Sequence, residues 1–415
     1  MAQETPELGP LERDQSTQPS LRNKLGWSTA GTIASRGSGA LAGVLVARFL
    51  GPTGRGQYAV LIAIASVLTA VSTAGLQFWI IRTVALGETI SSIRPIVRRH
   101  FSYLVPSALA IALAIRSVVP QTSVTTGELA ATIFLLLLTT FALLTLAVVN
   151  GLQRMRRVAT ATTVGAGTYL LALIVIETLN WTKPSTTVAA AALGQVMTAL
   201  TCVPTLTLRK VGVEGLEKPD YFAAIRFGFP AAVGEMLLLI CMRLDILMVA
   251  TLMGTREAGL YAVATALSEL TWIIPDGTSQ VLLPMASEGT PVKASFKIII
   301  RAVLLQALAG MALMSLAPIL IPTIFGSNFK GAVRIVPILI LAALGLGAWK
   351  LLAADLAGRG HTRARGISTL VGLLLLLISQ PLLIGRYSLQ GAAMASCIAY
   401  WSATAYLLYI YRRRT

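Results

Sequence analysis

A glycine-rich stretch that occurs twice constrains the fold of this chain most strongly. Residues 51–60, GPTGRGQYAV, recur 203 residues later as residues 254–263, GTREAGLYAV, with two glycines, a tyrosine and Ala-Val in matching positions. An apolar run precedes and follows each copy, so each glycine turn joins two hydrophobic segments. Internal similarity at a fixed offset predicts two related halves. The alternative is a chance likeness between two glycine loops.

Polar residues that follow each copy coincide at the same offset. The matching pairs are Ser66 with Glu269, Thr73 with Asp276, and Gln77 with Gln280. Within each half these positions are seven and then four residues apart, which places them along one face of a helix. Each half is therefore predicted to carry a polar stripe at the same depth.

The apolar runs around the repeat are typical of membrane helices. Hydrophobic residues make up 55% of the 415 residues, 12% are charged, and the mean hydropathy is +0.75. A soluble domain is far more polar. A transmembrane helix needs about 20 apolar residues, whereas barrel strands alternate over about ten. The runs are long and do not alternate, so we predict an all-α integral membrane protein.

Twelve apolar runs are candidate membrane spans. They cover residues 26–49, 58–81, 101–119, 129–150, 158–179, 186–208, 227–252, 259–284, 298–324, 332–356, 366–386 and 389–411. With the amino terminus placed inside, most of the 34 Lys and Arg residues fall in inner loops and tails, as the positive-inside rule requires. The pattern predicts a multi-pass plasma-membrane protein with both termini in the cytoplasm.

Six helices per half return the chain to its starting side, so the halves are predicted to form a parallel repeat. We expect residues 1–24 to be a disordered cytoplasmic tail and residues 209–226 to be a cytoplasmic linker. Residues 25–208 and 227–415 are expected to form two six-helix lobes around a central cavity. The net charge of +17 is distributed between the apolar runs, which disfavours a nucleic-acid partner.

Ionisable residues inside the apolar runs are the candidate functional residues. A charge at the bilayer centre costs at least ~2.5 kcal/mol, so it normally faces a cavity or a partner. The candidates are Arg36, Glu235, Arg243, Asp245, Glu269, Asp276, Lys350 and Asp355. One interpretation is ion pairing between helices, for example Arg36 with Glu235 or Arg243 with Asp276. The other is a hydrated, partly cationic cavity between the halves.

The cavity interpretation assigns a role to every candidate except Asp355. The predicted substrate-cavity residues are Arg36, Arg243, Lys350, Gln77, Gln280 and Trp272. Since Arg and Lys are the usual partners of phosphate, the cavity suits an anionic substrate. The predicted candidates for binding a coupling ion, H⁺ or Na⁺, are Asp245, Glu269, Asp276 and Glu235. The cysteines and histidines have no metal-ligand spacing, so we expect no metal site and no organic cofactor.

Two motifs resemble those of polysaccharide flippases of the Wzx type, in the multidrug/oligosaccharidyl-lipid/polysaccharide exporter superfamily. Residues 47–58, ARFLGPTGRGQY, are similar to the signature ARxLGPxGxGxYA. Gly228-Phe229-Pro230, then RLDILM at 243–248, then Gly254 and Gly259-Leu260-Tyr261, are similar to the pattern GxP...D...G...vGxY.

The resemblance implies two six-helix lobes that open alternately inward and outward. It implies movement of a polyprenyl-diphosphate-linked oligosaccharide across the plasma membrane, with basic cavity residues attracting the diphosphate. Protonation of a cavity carboxylate would couple the cycle to an ion gradient, and Asp245 matches the motif aspartate most directly. The expected partners are the lipid-linked oligosaccharide, membrane lipid and glycan-assembly proteins, and we expect a monomer.

Three other functions are open at this stage. Glu269 and Asp276 favour a drug or cation antiporter of the same superfamily, whereas Arg36 and Arg243 disfavour it. A membrane polysaccharide polymerase or ligase would be an enzyme; the short predicted outer loops disfavour this class. A flippase of peptidoglycan precursors is expected to have more spans. We therefore predict a transporter and not an enzyme.

Overall fold

The computed structural model describes residues 21–87, 90–118, 125–206 and 220–414, and these are almost entirely helical. The helices are α1 (Leu21–Thr73), α2 (Leu76–Ala85), α3 (Ile90–Val118), α4 (Thr126–Gly151), α5 (Met155–Thr178), α6 (Pro184–Leu206), α7 (Tyr221–Met253), α8 (Thr255–Glu269), α9 (Ile273–Ser287), α10 (Val292–Leu320), α11 (Val336–Gly358) and α12 (Thr362–Arg414). Short 3₁₀ or π segments at Leu270–Trp272, Ile321–Phe325 and Ser327–Ile335 connect the later helices. The predicted all-α class is confirmed for this part of the chain.

Nine helical segments within the described residues are long and apolar enough to cross a membrane. Two of them are much longer than a single membrane crossing requires: Ala34–Thr73 has 40 residues and Thr362–Arg413 has 52. A straight helix of 52 residues would be about 78 Å long, against a hydrocarbon core of about 30 Å. Each of the two segments contains a residue with non-helical backbone angles, Gly51 and Ser388 respectively, where the chain changes direction.

Both copies of the repeat break the helix at their first glycine. Gly51 has φ 63° and ψ −176°, and Gly254 has φ 93° and ψ 170°. This region of backbone space is essentially open to glycine alone. Helix resumes at once after each break, at Pro52 and at Thr255. The second span was predicted to begin at residue 58, but it begins at Pro52 because proline suits the first position of a helix.

The two copies pack on each other through their second glycine. A Cβ at Gly56 would lie 1.7 Å from the carbonyl oxygen of Thr255, and a Cβ at Gly259 would lie 1.9 Å from that of Pro52. Only glycine permits backbones to approach this closely. The two stretches that are similar in sequence thus share a backbone break and are in mutual contact.

Buried apolar residues form separate cores before and after residue 220. One cluster draws only on residues between Ala42 and Ala192, and another only on residues between Cys241 and Tyr411. A further cluster joins α1 to the later helices through Ala47 and Ala59. The cores are arranged as two related halves would be, and the division at residues 208 and 227 stays a prediction.

The predicted tail and linker fall largely outside the described residues. Helix α1 begins at Leu21, inside the segment predicted as tail, whereas residues 1–20 are not described. Helix α7 begins at Tyr221, and the Asp220 carboxylate caps it by accepting a hydrogen bond from the backbone N–H of Ala223. Most of the predicted linker, residues 207–219, also lies outside the described residues.

Candidate functional site

A cavity of about 520 Å³ lies between helices of both halves. We call it the cationic cavity. Its aromatic lining residues are Tyr58, Tyr169 and Trp272, and its charged lining residues are Arg36 and Arg55 of α1, Arg243 of α7, Glu269 of α8 and Lys350 of α11. Gly39 and Gly43 line the α1 wall, and a Cβ at Gly39 would meet no atom within 4 Å. The small residues at this level of α1 therefore leave space for the cavity.

Ion pairs hold three of the four cationic side chains of the cationic cavity. Asp276 accepts hydrogen bonds from the Arg36 guanidinium and, at 2.8 Å, from the Lys350 ammonium. The Arg243 Nη1 atom lies 3.6 Å from Glu269 Oε1. The first of these contacts joins α1 to α9, and so bridges the two halves of the sequence.

The example pairings expected from the sequence were wrong. Arg36 pairs with Asp276 and not with Glu235, and Arg243 pairs with Glu269 and not with Asp276. Glu235 instead accepts a hydrogen bond at 2.6 Å from Arg365 of α12. Sequence spacing places a residue on a helix face but does not fix how distant helices rotate against each other. Ion pairs are present, and several of their members also line a cavity.

Arg55 is a cavity residue that the sequence reasoning missed. Its side chain is 9% exposed, its guanidinium carbon lies 5.4 Å from the centroid of the Tyr58 ring, and its Nε atom has no hydrogen-bond partner. The described residues place no carboxylate within salt-bridge distance of it. The predicted spans 26–49 and 58–81 leave Arg55 in the loop between them. Its position inside the repeated motif was the available signal.

The charges around the cavity do not balance. Four cationic side chains surround it, and two carboxylates are paired with them; the cations are Arg36, Arg55, Arg243 and Lys350, and the carboxylates are Glu269 and Asp276. Trp272 forms part of the wall, with the Lys350 ammonium 4.6 Å from its ring centroid. The cavity therefore has an excess of positive charge next to an aromatic surface.

A second cavity, of about 650 Å³, adjoins the first at Lys350. We call it the inner cavity because Gln153, between α4 and α5, and Met155, the first residue of α5, lie on the predicted cytoplasmic side. Asp276 and Gln280 line one wall of it. The polar stripe of the second half thus faces the cationic and inner cavities.

Gln77 lies in a third cavity, of about 480 Å³, between α1, α2, α4, α6 and α7. We call it the hydroxyl chamber because Ser66, Thr73 and other neutral polar residues line it. It shares Met242 with the cationic cavity and Glu235 with the inner cavity. The polar stripe of the first half therefore faces this chamber, so the predicted cavity residues are divided among three adjoining cavities.

Asp245 is buried behind the cationic cavity. Its Oδ2 atom accepts a hydrogen bond from the Tyr261 hydroxyl at 3.0 Å, and its Oδ1 atom accepts one from the backbone N–H of Ile246 at 2.7 Å. The Ser396 hydroxyl lies 3.4 Å from Oδ2. Asp245 lines a small void together with Glu269, and this void is its connection to the cationic cavity.

Contacts on the predicted outer side join the halves. The Arg48 guanidinium donates hydrogen bonds to the carbonyl oxygens of Thr323 and Ile324, at 2.6 Å and 2.7 Å. The Gly56–Gly259 contact lies on the same side. In the described part of the chain, no group of three or more His, Cys, Asp or Glu side chains is placed to hold a metal ion.

Comparison with known proteins gives one family and several similar folds. Residues 21–290 match the family model described as "Polysaccharide biosynthesis protein". The lipid II flippase MurJ in an inward closed conformation is similar at a TM-score of 0.70 and 15% identity, covering 93% of this chain and 87% of its own. An inward-facing multidrug resistance MATE family transporter of the MOP superfamily is similar at a TM-score of 0.66 and 16% identity, covering 96% of each chain. An outward-facing transporter of the same description is similar at a TM-score of 0.62 and 14% identity, covering 95% of this chain and 94% of its own. No curated protein sequence matches significantly.

Proposed function

We propose, since this chain belongs to the polysaccharide biosynthesis protein family, that it is a flippase for a polyprenyl-diphosphate-linked oligosaccharide. By alternating access it would move this lipid across the plasma membrane for cell-surface polysaccharide synthesis. The family match and the fold shared with MOP-superfamily transporters confirm the resemblance that the motifs predicted. At these low identities the structural likeness concerns the fold, so the substrate is argued from the cavity.

The excess of positive charge in the cationic cavity carries this proposal. Two carboxylates offset only part of the charge of the four cations. A charge left without a partner inside a bilayer is costly, so an anionic ligand there would be stabilised. A diphosphate offers several acceptor oxygens, which match the N–H donors of Arg and Lys. Arg55 is the strongest candidate contact because it has no carboxylate partner in the described structure.

Exchange of ion-pair partners supplies a mechanism for loading and release. The 3.6 Å separation between Arg243 and Glu269 is longer than a direct hydrogen bond. A phosphate oxygen arriving in the cavity would replace Glu269 as the partner of Arg243. Protonation of Glu269, or a cation bound to it, would favour the diphosphate-bound state. Asp245, Asp276 and Glu235 remain further candidates for coupling to H⁺ or Na⁺.

The proposed topology has twelve crossings in two six-helix lobes. Turns at Gly51 and Ser388 would divide the two longest helical segments into two crossings each, and α3 would supply one more. Both termini would be cytoplasmic. The protein would work as a monomer, with membrane lipid around it and with glycan-assembly proteins as partners that supply and consume the lipid-linked sugar.

A drug or cation antiporter is the second candidate, and the carboxylates favour it. Their pairing opposes it, because Glu269 and Asp276 already contact Arg243, Arg36 and Lys350. A polymerase or ligase is disfavoured by the described outer connections, of which residues 321–335 between α10 and α11 are the longest and consist almost entirely of short π and 3₁₀ segments.

Reconstitution into liposomes tests the proposal. The substrate is a fluorescent polyprenyl-diphosphate oligosaccharide, and a membrane-impermeant quencher reports the leaflet that holds it. We expect wild-type protein to accelerate leaflet exchange and Arg243→Ala to abolish the acceleration without affecting membrane insertion. Arg256→Ala is the matched control, since Arg256 is exposed and lies outside the cavities. Transport of a cationic dye without exchange of the lipid would contradict the proposal and support the antiporter.

A further inference from the structure

The hydroxyl chamber differs chemically from the cationic cavity beside it. Its polar lining residues are Ser66, Thr69, Thr73, Gln77, Thr139 and Gln195, and its one charged lining residue is Glu235. None of the four cations of the cationic cavity lines it. The chamber is therefore unsuited to a phosphate and suited to a neutral polar group.

The hydroxyls of the chamber are arranged as acceptors. Ser66 donates its hydroxyl hydrogen to the carbonyl oxygen of Ile62 at 2.7 Å, and Thr69 donates to that of Ala65, also at 2.7 Å. Thr73 bonds in the same way to Ala70 at 3.1 Å. Since each hydroxyl has a single hydrogen, the oxygen lone pairs are what these side chains can offer to a ligand.

Gln77 adds an acceptor that lacks a partner. Its Oε1 atom is buried and has no hydrogen bond within the described structure. A buried polar atom without a partner is rare and points to a ligand or water that completes it. An ionised phosphate cannot donate a hydrogen bond, whereas a sugar hydroxyl can. The acceptors of the chamber thus select a neutral ligand rich in hydroxyl donors.

The remaining walls are apolar and match the C–H faces of a sugar ring. They include Leu135, Leu143, Leu238 and Leu239. The volume of about 480 Å³ lies within the range of small-ligand pockets. The side chains of Ile62 and Met242 separate this chamber from the cationic cavity and line both. A ligand with a diphosphate in the cationic cavity would reach the chamber with its next chemical group.

We infer that the hydroxyl chamber is a sugar subsite that binds the uncharged sugar nearest the diphosphate, with Gln77 accepting a hydrogen bond from a sugar hydroxyl. This inference rests on the proposed function and adds to it separate roles for two cavities. The cationic cavity binds the anion, and the hydroxyl chamber recognises the sugar. A sugar bearing a carboxylate would be disfavoured by the acceptors and by Glu235.

Equilibrium binding to purified protein separates the two subsites. The probes are a bare polyprenyl diphosphate and the same lipid carrying glucose, galactose, N-acetylglucosamine or glucuronic acid. We expect wild-type protein to bind the bare lipid, and at least one neutral glycolipid about tenfold more tightly. We expect Gln77→Leu to remove this increment while binding of the bare lipid is unchanged. Gln57→Leu, a substitution of the same kind on α1 outside the chamber, should retain both affinities.

Each other outcome is decisive. If no neutral sugar increases the affinity, or if the glucuronic acid lipid binds best, the sugar subsite is wrong and the diphosphate site stands. Should Gln77→Leu weaken both affinities, Gln195→Leu serves as the second variant; if it too weakens both equally, the chamber has no separate role and the inference fails. Failure of wild-type protein to bind the bare diphosphate lipid would instead remove the proposed function.

Discussion

Residues 51–60 and residues 254–263 have the same backbone break and then differ in what their side chains contact. In the first copy the Tyr58 hydroxyl pairs with that of Tyr169 at 2.6 Å, and both groups are neutral. In the second copy the equivalent Tyr261 donates to the buried carboxylate of Asp245. The duplicated tyrosine therefore bonds to another neutral hydroxyl in the first half and to an ionisable carboxylate in the second.

The residue before the second glycine differs as well. Arg55 occupies this position in the first copy and lines the cationic cavity, whereas Ala258 occupies it in the second and is fully buried. The shared glycines maintain the contact between the halves, so these positions could diverge without altering the backbone. The glycines therefore maintain the packing between the halves, and the residues next to them make the site asymmetric.

The largest effect is expected from the shared glycines. Gly259→Ala would place a Cβ 1.9 Å from the carbonyl oxygen of Pro52, so the halves would have to move apart. We expect a loss of about 2 to 3 kcal/mol of stability, typical of overpacking. Thermal unfolding in detergent measures it. Gly39→Ala is the control, because its Cβ would meet open space, and an equal loss in both variants would contradict the role of the contact.

A smaller effect is expected from Arg55. Arg55→Gln keeps a polar side chain but removes the charge, so binding of a bare polyprenyl diphosphate should weaken by about 2 kcal/mol, or roughly 30-fold. Ala258 is the equivalent position in the second copy, but it is fully buried, so Ala258→Gln is unsuitable as a control. Arg256→Gln, in the second copy and exposed, should leave the affinity unchanged. Equal weakening in the two variants would show that the difference between the copies does not concern the ligand.

The equivalent tyrosines Tyr58 and Tyr261 should contribute differently to stability. Tyr261→Phe removes a donor from a buried carboxylate and should cost about 2 kcal/mol, whereas Tyr58→Phe breaks a neutral pair and should cost about 1 kcal/mol. Thermal unfolding of the two variants measures the difference. If Tyr58→Phe were the more destabilising change, Asp245 would not depend on Tyr261.

Glu269 is expected to give the smallest change. Its contact with Arg243 is long and both side chains are about a quarter exposed, so the pair contributes at most about 1 kcal/mol. Glu269→Gln should tighten diphosphate binding a few-fold and alter the pH dependence of flipping. Ser66→Ala, at the equivalent position of the first half, should leave the pH profile as it is. An unaltered profile in Glu269→Gln would exclude it as the coupling residue.

Much of the architecture could be predicted because it depends on local pattern. The apolar runs predicted the helices, and the repeated glycines predicted the two breaks at Gly51 and Gly254. The polar stripes also face cavities, since helix periodicity sets which residues share a face.

The partners within the site could not be predicted in the same way. Arg36 meets Asp276, 240 residues away, and this depends on how α1 and α9 pack. Arg55 was missed because a proline and glycines suggested a loop, whereas the helix resumes at Pro52. Gln77 was assigned to the same space as Arg243, because the sequence does not show that side chains divide the cavity into separate spaces.

Electron cryomicroscopy of the protein with a polyprenyl-diphosphate oligosaccharide would locate the bound diphosphate. We expect phosphate density within hydrogen-bond distance of Arg55 and Arg243, between helices of the two halves. Phosphate density away from these side chains, or a bound lipid confined to the outer surface of the helices, would contradict the proposed role of the cationic cavity.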